Sequence, residues 1–258
     1  MRKLTTDQRL KTDELNINRL TYEKRSMPYE RYFGEMELTD AQKKERILFA
    51  HDVEDIFTEF LIFMGVLMQY NRSPEPARDQ LETKYKRLMK KHLNDDDQFI
   101  AWYAAKYAQD VTDSTVTNVR KEIQRALENP DLMPIMVGIE TEAGTAESAQ
   151  EEIEKAVMEN SWFFSEDRAM FNGENEANSV LNRKDFFQAI KEGFTHKTWK
   201  DMRDDRVRAT HLEVGGTTIP ITERFQVGAA QMLYPKEKPF EYPEECVSCR
   251  CWLVYSRR

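Results

Sequence analysis

Glycine and proline are scarce in this chain, at nine residues each in 258. So few helix breakers favour long helices. Cysteine is scarcer still: three in all, an odd number, and all between Cys246 and Cys251. That clustering is wrong for a secreted disulfide framework. The start, Met1-Arg-Lys-Leu-Thr-Thr-Asp, is polar and no apolar stretch follows it. This predicts a chain without a secretory leader, cytosolic when made. The most apolar run, Ile56 to Met68, is thirteen residues long and includes Thr58 and Glu59. It is too short to cross a bilayer, so no membrane partner is expected and the run reads as a buried helix. There is no nucleophile elbow, no phosphate-cradling glycine loop, no His-Glu-x-x-His pair, no internal repeat and no low-complexity tract.

What is present is charge mixed with apolar residues. Charged residues make up 33%, hydrophobic ones 40% and aromatic ones 11%, with a mean hydropathy of −0.74. Long amphipathic helices with solvated faces account for that mixture better than disorder does. The net charge of −8 rules out a general nucleic-acid clamp. The charge is uneven, however. From His196 onward 11 Lys/Arg stand against 9 Asp/Glu, a net of +2, which leaves −10 upstream.

Residues 1–38 are charged with no sustained period and read as an arm, in which the Met27-Pro-Tyr-Glu-Arg-Tyr-Phe-Gly stretch breaks any helix. Thr39-Asp-Ala-Gln then opens a helix, capped by Thr39 or Asp40, that extends to about Tyr70. Phe60, Phe63, Leu67 and Phe57, Leu61, Met64 alternate on its broad apolar face, with the first three expected in the core. Ser73-Pro-Glu-Pro starts a second helix with Leu81, Tyr85, Leu88 and Met89 inward. Asn94-Asp-Asp-Asp caps a third, its acids complementing the helix dipole. Phe99, Tyr103 and Tyr107 form its first stripe and Val116, Val119, Ile123 and Leu127 its second, with a break at Thr112-Asp-Ser. Asn129 to Gly144, with two prolines and two glycines, is the clearest boundary. A helix from about Ala146 carries Ile153, Val157 and the Trp162-Phe-Phe cluster, and a last helix covers Asp185 to Gly193.

From about residue 195 the rhythm shifts to short strands. His196 to Met202 alternates, Gly215-Gly216 makes a tight turn, Thr217-Thr-Ile-Pro-Ile-Thr is extended, and Cys249 to Tyr255 is a closing strand. A period of two puts Cys249, Cys251, Leu253 and Tyr255 on one face of that strand. The fold class expected is α+β, a long-helix body followed by a small C-terminal α+β domain with short antiparallel strands. Its segments are an arm over 1–38, a helical body over 39–144 and a C-terminal domain over 145–258.

Three kinds of chemistry fit the C-terminal block. Cys246, Cys249 and Cys251 with His211 supply four soft donors, the number a closed zinc site needs. The plain alternative packs His211 and the cysteines into a small core, with Asp205 pairing with Arg206 or Arg208 to hold the turn. An enzyme of nuclease type would use Asp205, His211 and Cys249 as acid, base or nucleophile, but the residues carry no motif beyond their types. A nucleic-acid surface would draw on Arg203, Arg206, Arg208, Arg224, Lys236, Lys238 and Arg250 for phosphate, with Trp199 and Trp252 for stacking. A zinc-stabilised nucleic-acid-binding protein is thus the competing function.

The ordered pattern Trp199-x5-Asp205-Arg206-Val207-Arg208-x2-His211-x4-Gly216, an Ile-Pro step, Tyr234-Pro235 and a terminal Cys249-Arg-Cys251 resembles the phage minor head protein family, the phage Mu F-like or head morphogenesis domain. Arg168, Glu174, Glu176 and Asn178 look like that family's helix ahead of the first strand, so the resemblance covers about Arg168 to Cys251. The chain departs from the pattern in three places. Ser248 stands where the family usually has Asn; an acid or Asn is usual where Gly215 stands; and Pro235-Lys-Glu237 replaces a Tyr-Pro-Gly step followed by Asp. The resemblance implies a minor capsid protein without catalytic residues or a required cofactor. It implies attachment inside a phage head, assembly in the host bacterial cytoplasm, and a part in head assembly, DNA packaging or genome delivery. It also implies the portal protein, the major capsid or scaffold protein and, weakly, packaged DNA as partners. Relatives sometimes carry a toxin or nuclease module after the Cys-x-Cys strand, and none is expected within the seven residues after Cys251.

Overall fold

A computed structural model of the chain describes residues 29–93, 97–128 and 146–258. Most of the expected arm, the Asn94-Asp-Asp cap and the Asn129–Gly144 boundary lie outside those residues. The helices in order are α1 Asp40–Gln69, α2 Glu75–His92, α3 Asp97–Glu128, α4 Ala146–Asn160 and α5 Glu166–Lys191. The C-terminal elements follow as β1 His196–Lys200, α6 Ala209–Val214, β2 Thr218–Pro220, β3 Phe225–Val227, β4 Ala230–Met232, α7 Pro243–Cys246 and β5 Trp252–Ser256. The fold is α+β, with long helices first and short antiparallel strands last. No helix among the described residues is long and apolar enough to cross a membrane.

The described residues divide into two compact units, one holding residues 54–90, 97–128 and 146–170, the other 29–53, 91–93 and 171–258. In the first unit Phe57, Phe60, Leu61 and Met64 of α1 are buried, whereas Phe63 and Leu67 are only half-buried. The core stripe is therefore centred on the Phe57–Leu61–Met64 line, not on the Phe60–Phe63–Leu67 one. On α2 the expected Leu81, Tyr85, Leu88 and Met89 are buried, and the Tyr85 ring stacks at 4.6 Å on Tyr107 of α3. Helix α3 runs through Thr112-Asp-Ser without a break. Thr115 donates its hydroxyl to the Val111 carbonyl at 2.7 Å, which satisfies the polar group inside the helix. That helix buries Thr112, Thr115, Val119 and Ala126 on its second half and leaves Leu127 exposed, so small and hydroxylated residues stand where a bulky aliphatic stripe is expected. Arg168 anchors this unit. It is 4% exposed, donates to Thr115 Oγ1 at 2.9 Å and to the Phe163 carbonyl at 2.8 Å, and lies over the Phe57 and Phe163 rings. Burial lowers its pKa to about 10.

In the second unit residues 29–34 are helical, with Tyr29, Phe33 and Met36 fully buried. This overturns the reading of that stretch as helix-breaking. Thr39 and Gln42 close α1 with a capping box. Gln42 N–H donates to Thr39 Oγ1 at 3.3 Å, and Thr39 N–H donates to Gln42 Oε1 at 3.1 Å. Helix α5 is one element from Glu166, much longer than the expected Asp185–Gly193 segment. After it, β1 is the central strand of a three-stranded antiparallel sheet in the order β2-β1-β5, and β3 and β4 form a separate hairpin. Strand β5 begins at Trp252, so Cys249 and Cys251 lie in the approach to it and not within it.

Between α1, α2 and α5 of this unit, Glu45 has His92 Nδ1 at 2.9 Å and also takes the Lys184 ammonium. Hydrogen bonding from His92, then from Lys184, outweighs burial and lowers its carboxyl from 4.5 to about 2. Because the folded value lies below the unfolded one, the stabilisation is complete above about pH 4.5 and drains as the pH falls towards 2. Denaturant unfolding of wild type and Glu45→Gln from pH 6 down to pH 2.5 tests this. Wild type is expected to lose about 1–2 kcal/mol more than the variant over that range, after allowance for solvent screening.

Candidate functional site

The second unit's C-terminal core gathers Trp199, Phe225, Val227, Met232, Tyr234 and all three cysteines around β1. Alternation along β1 turns Lys197 and Trp199 to the same buried side. The Trp199 ring meets His211 edge-on at 5.9 Å and Phe225 at 5.2 Å. Lys197 is fully buried, donating to the Leu233 carbonyl at 2.7 Å with its ammonium over the Phe186 and Phe225 rings. Burial pulls its pKa down to about 8.

His211 sits on the short helix α6, an element not evident in the residue pattern, and is 2% exposed. Its Nδ1 lies 3.3 Å from Cys251 Sγ and 3.5 Å from Cys249 Sγ. Its Nε2 lies 3.1 Å from Glu245 Oε2 on α7, and that oxygen also accepts from Thr210 Oγ1 at 2.9 Å. Among the described residues, His211, Cys249 and Cys251 are the three whose ligand atoms come within 4.8 Å of one another. Cys246 is buried in the same core but does not join them, so the expected four-donor set becomes three. Burial works against ionising Cys249, but hydrogen bonds from Cys251 and His211 outweigh it and hold its pKa well below the thiol range. The hydrogen bond with Cys249, then burial, pushes Cys251 well above that range. His211 is raised: burial opposes its charge, and its contact with Cys249 prevails. With all three side chains enclosed, the cluster offers soft donors but no face on which a substrate could meet a nucleophile.

The Cys-x-Cys loop is held from α5 by three asparagines spaced three and four apart, hence on one helical face. Asn178 Nδ2 donates to the Cys249 and Cys251 carbonyls at 3.0 and 3.2 Å. Asn182 Nδ2 donates to the Cys251 carbonyl at 3.0 Å. Asn175 Oδ1 accepts from Ser248 N–H at 3.0 Å and from the buried Lys236 ammonium at 2.6 Å. Of these only Asn178 belongs to the motif read from the sequence. The Asn175–Asn178–Asn182 spacing was the available signal for the others. Glu245, Lys236 and Lys197 carry no such signal, because nothing local marks a charged residue for burial.

The remaining motif residues are distributed around this cluster. Gly216, at φ +85°, turns the chain from α6 into β2, and its N–H donates to the Trp199 carbonyl at 2.8 Å. Arg208 donates to the Val247 carbonyl, tying the start of α6 to the loop before Cys249. The turn acid is Asp204, not Asp205. Asp204 takes Arg250 through both oxygens at 2.6 and 2.7 Å and Arg206 at 3.2 Å, whereas Asp205 is exposed. The hydrogen bond from Arg250, and then that from Arg206, lowers the Asp204 pKa. The residues put forward for nucleic acid are largely engaged elsewhere. Trp199 and Trp252 are 0% and 3% exposed, Lys236 is buried, Arg224 pairs with Glu237 and Lys238 with Glu241. Neither indole therefore presents a face on which a base could stack.

Two of the departures from the family pattern have structural reasons. A Cβ at Gly215 would come 2.0 Å from Asp201 Oδ2, so that buried carboxylate occupies the space a side chain needs. Lys236 stands at φ +66° where the pattern has glycine, and the inward bonds of its ammonium to Asn175 accompany that backbone. Ser248, in place of Asn, has φ +58°, a conformation that Asn and Gly adopt more readily than Ser.

Residues 141–254 match the family model described as phage Mu protein F like protein. The motif resemblance is thus shown over that stretch, which runs from ahead of α4 into β5. No curated protein and no solved structure matches the chain.

Urea unfolding of three variants checks these constraints. Ser248→Gly is expected to raise stability by about 0.5–1 kcal/mol, because it removes the cost of the left-handed backbone while keeping the N–H bond to Asn175. Gly215→Ala is expected to lower it by about 2 kcal/mol or more through the clash with Asp201. Asn178→Leu leaves the Cys249 carbonyl without its donor and the Cys251 carbonyl with Asn182 alone, and is expected to cost about 1–3 kcal/mol.

Proposed function

We propose, from the match of residues 141–254 to the phage Mu F-like family, that this is a minor head protein of a tailed phage or prophage. It attaches inside the head near the portal and assists head assembly, DNA packaging or genome delivery. The family match is the observation that carries this reading. The enclosure of His211, Cys249 and Cys251 supports a structural role over a catalytic one, since general acid–base or nucleophilic chemistry needs those groups within reach of a substrate. In this role the C-terminal domain is a rigid module and the helices ahead of it supply surface. Trp102 of α3 is 55% exposed and Trp162 is 46% exposed, large apolar side chains of the kind that anchor protein contacts.

Expression with the portal gene of the same phage, followed by affinity capture of either product, is expected to retain both. Quantitative mass spectrometry of purified particles is expected to find the chain at far fewer copies than the major capsid protein. Absence from virions and procapsids alike defeats the proposal. Trp102→Ala is expected to weaken portal capture at least tenfold if that face is the anchor, with the circular dichroism of the chain unchanged.

A further inference from the structure

We propose that His211 Nδ1, Cys249 Sγ and Cys251 Sγ form a binding site for Zn2+, with Glu245 orienting the histidine from behind. The spacing is that of ligands around one ion. Tetrahedral zinc with bonds of about 2.3 Å to sulfur and about 2.0 Å to nitrogen separates its nitrogen and sulfur ligands by about 3.5 Å. The two observed separations are 3.3 and 3.5 Å. Soft thiolates combined with imidazole select zinc over hard cations such as Mg2+ or Ca2+.

The surroundings are those a metal-bound histidine has. Its second nitrogen faces a carboxylate, Glu245 Oε2 at 3.1 Å, which fixes the tautomer that points the Nδ1 lone pair at the sulfurs. Thr210 Oγ1 holds that same oxygen at 2.9 Å. The Cys251 N–H lies 3.5 Å from Cys249 Sγ, directed at a sulfur that carries negative charge when ligated. The loop presenting both sulfurs is clamped at its carbonyls by Asn178 and Asn182, so the donors are set before any ion arrives. Binding takes both sulfurs as thiolates and Nδ1 without a proton, and the displaced protons leave to solvent.

The test uses the full chain purified under reducing conditions, stripped of metal, reloaded with Zn2+ and desalted, with zinc counted by elemental mass spectrometry. About one zinc per chain is expected in wild type and in Cys246→Ser, and none in Cys249→Ser, Cys251→Ser or His211→Ala. Loading with Co2+ is expected to give thiolate-to-cobalt charge-transfer absorption that Cys251→Ser abolishes and Cys246→Ser keeps. Since loss of a ligand can also unfold the domain, Glu245→Gln serves as the second variant. It is expected to stay folded by circular dichroism, keep the cobalt spectrum and bind Zn2+ about 10–100-fold more weakly. Folded, reduced wild type that retains no zinc overturns the site. Loss of zinc in Cys246→Ser overturns the three-donor assignment, and unchanged affinity in Glu245→Gln overturns the role of Glu245. None of these outcomes bears on virion incorporation, which is read from particles.

Discussion

Asn178 directs both hydrogens of one carboxamide at two main-chain carbonyls, those of Cys249 and Cys251. Everything around the Cys-x-Cys loop depends on that clamp. The loop is buried and irregular, so its carbonyls have no strand partner and each would cost about 1–3 kcal/mol if left bare. Asn182 and Asn175 extend the clamp along the same face of α5, one to the Cys251 carbonyl and the other to the Ser248 N–H. A helix thereby supplies the hydrogen bonds that a neighbouring strand supplies elsewhere in the sheet. The loop can then turn both sulfurs towards His211 and still deliver Trp252 into register with Lys200 of β1.

The same domain encloses two lysines, which is unusual for a small core. Each is fully or nearly fully buried, and each is held by oxygen acceptors. Lys197 uses the Leu233 carbonyl and two aromatic faces, and Lys236 uses the main-chain and side-chain oxygens of Asn175. Burial lowers the pKa of both. An unpaired ammonium in such a place would be prohibitive, but one that is hydrogen-bonded and set over aromatic quadrupoles is tolerable and ties β1 and the 233–236 turn together. A patch that reads as basic along the chain is therefore partly an internal brace.

Much of the architecture was legible where the local signal was strong. The cap at Thr39, the Leu81–Tyr85–Leu88 stripe and the alternation over His196–Lys200 each depend on residues close together in the chain, and each appears as expected. The motif residues Trp199, Cys249 and Cys251 share one core, and His211 packs against all three. Elements were misjudged where tertiary packing overrode the local signal. Thr112-Asp-Ser looked like a break, yet α3 continues because Thr115 bonds back to its own helix and Arg168 reaches it from α5. The choice of Asp205 over Asp204 failed for a similar reason. Adjacent carboxylates are equivalent in sequence, and only the position of Arg250, 46 residues on, selects between them.

The residue order by itself determined the α+β class of the fold and the family that residues 141–254 match. Those rest on periodicity and on rare residues at set spacings, which survive without coordinates. Only the tertiary structure decided which donors meet. It separated Cys246 from Cys249 and Cys251 and set Glu245 behind His211. It also turned Lys197, Lys236, Trp199 and Trp252 inward. The physical reason is that burial and the direction of a side chain are set by partners distant in the chain, and a sequence read in local windows does not contain those partners' positions.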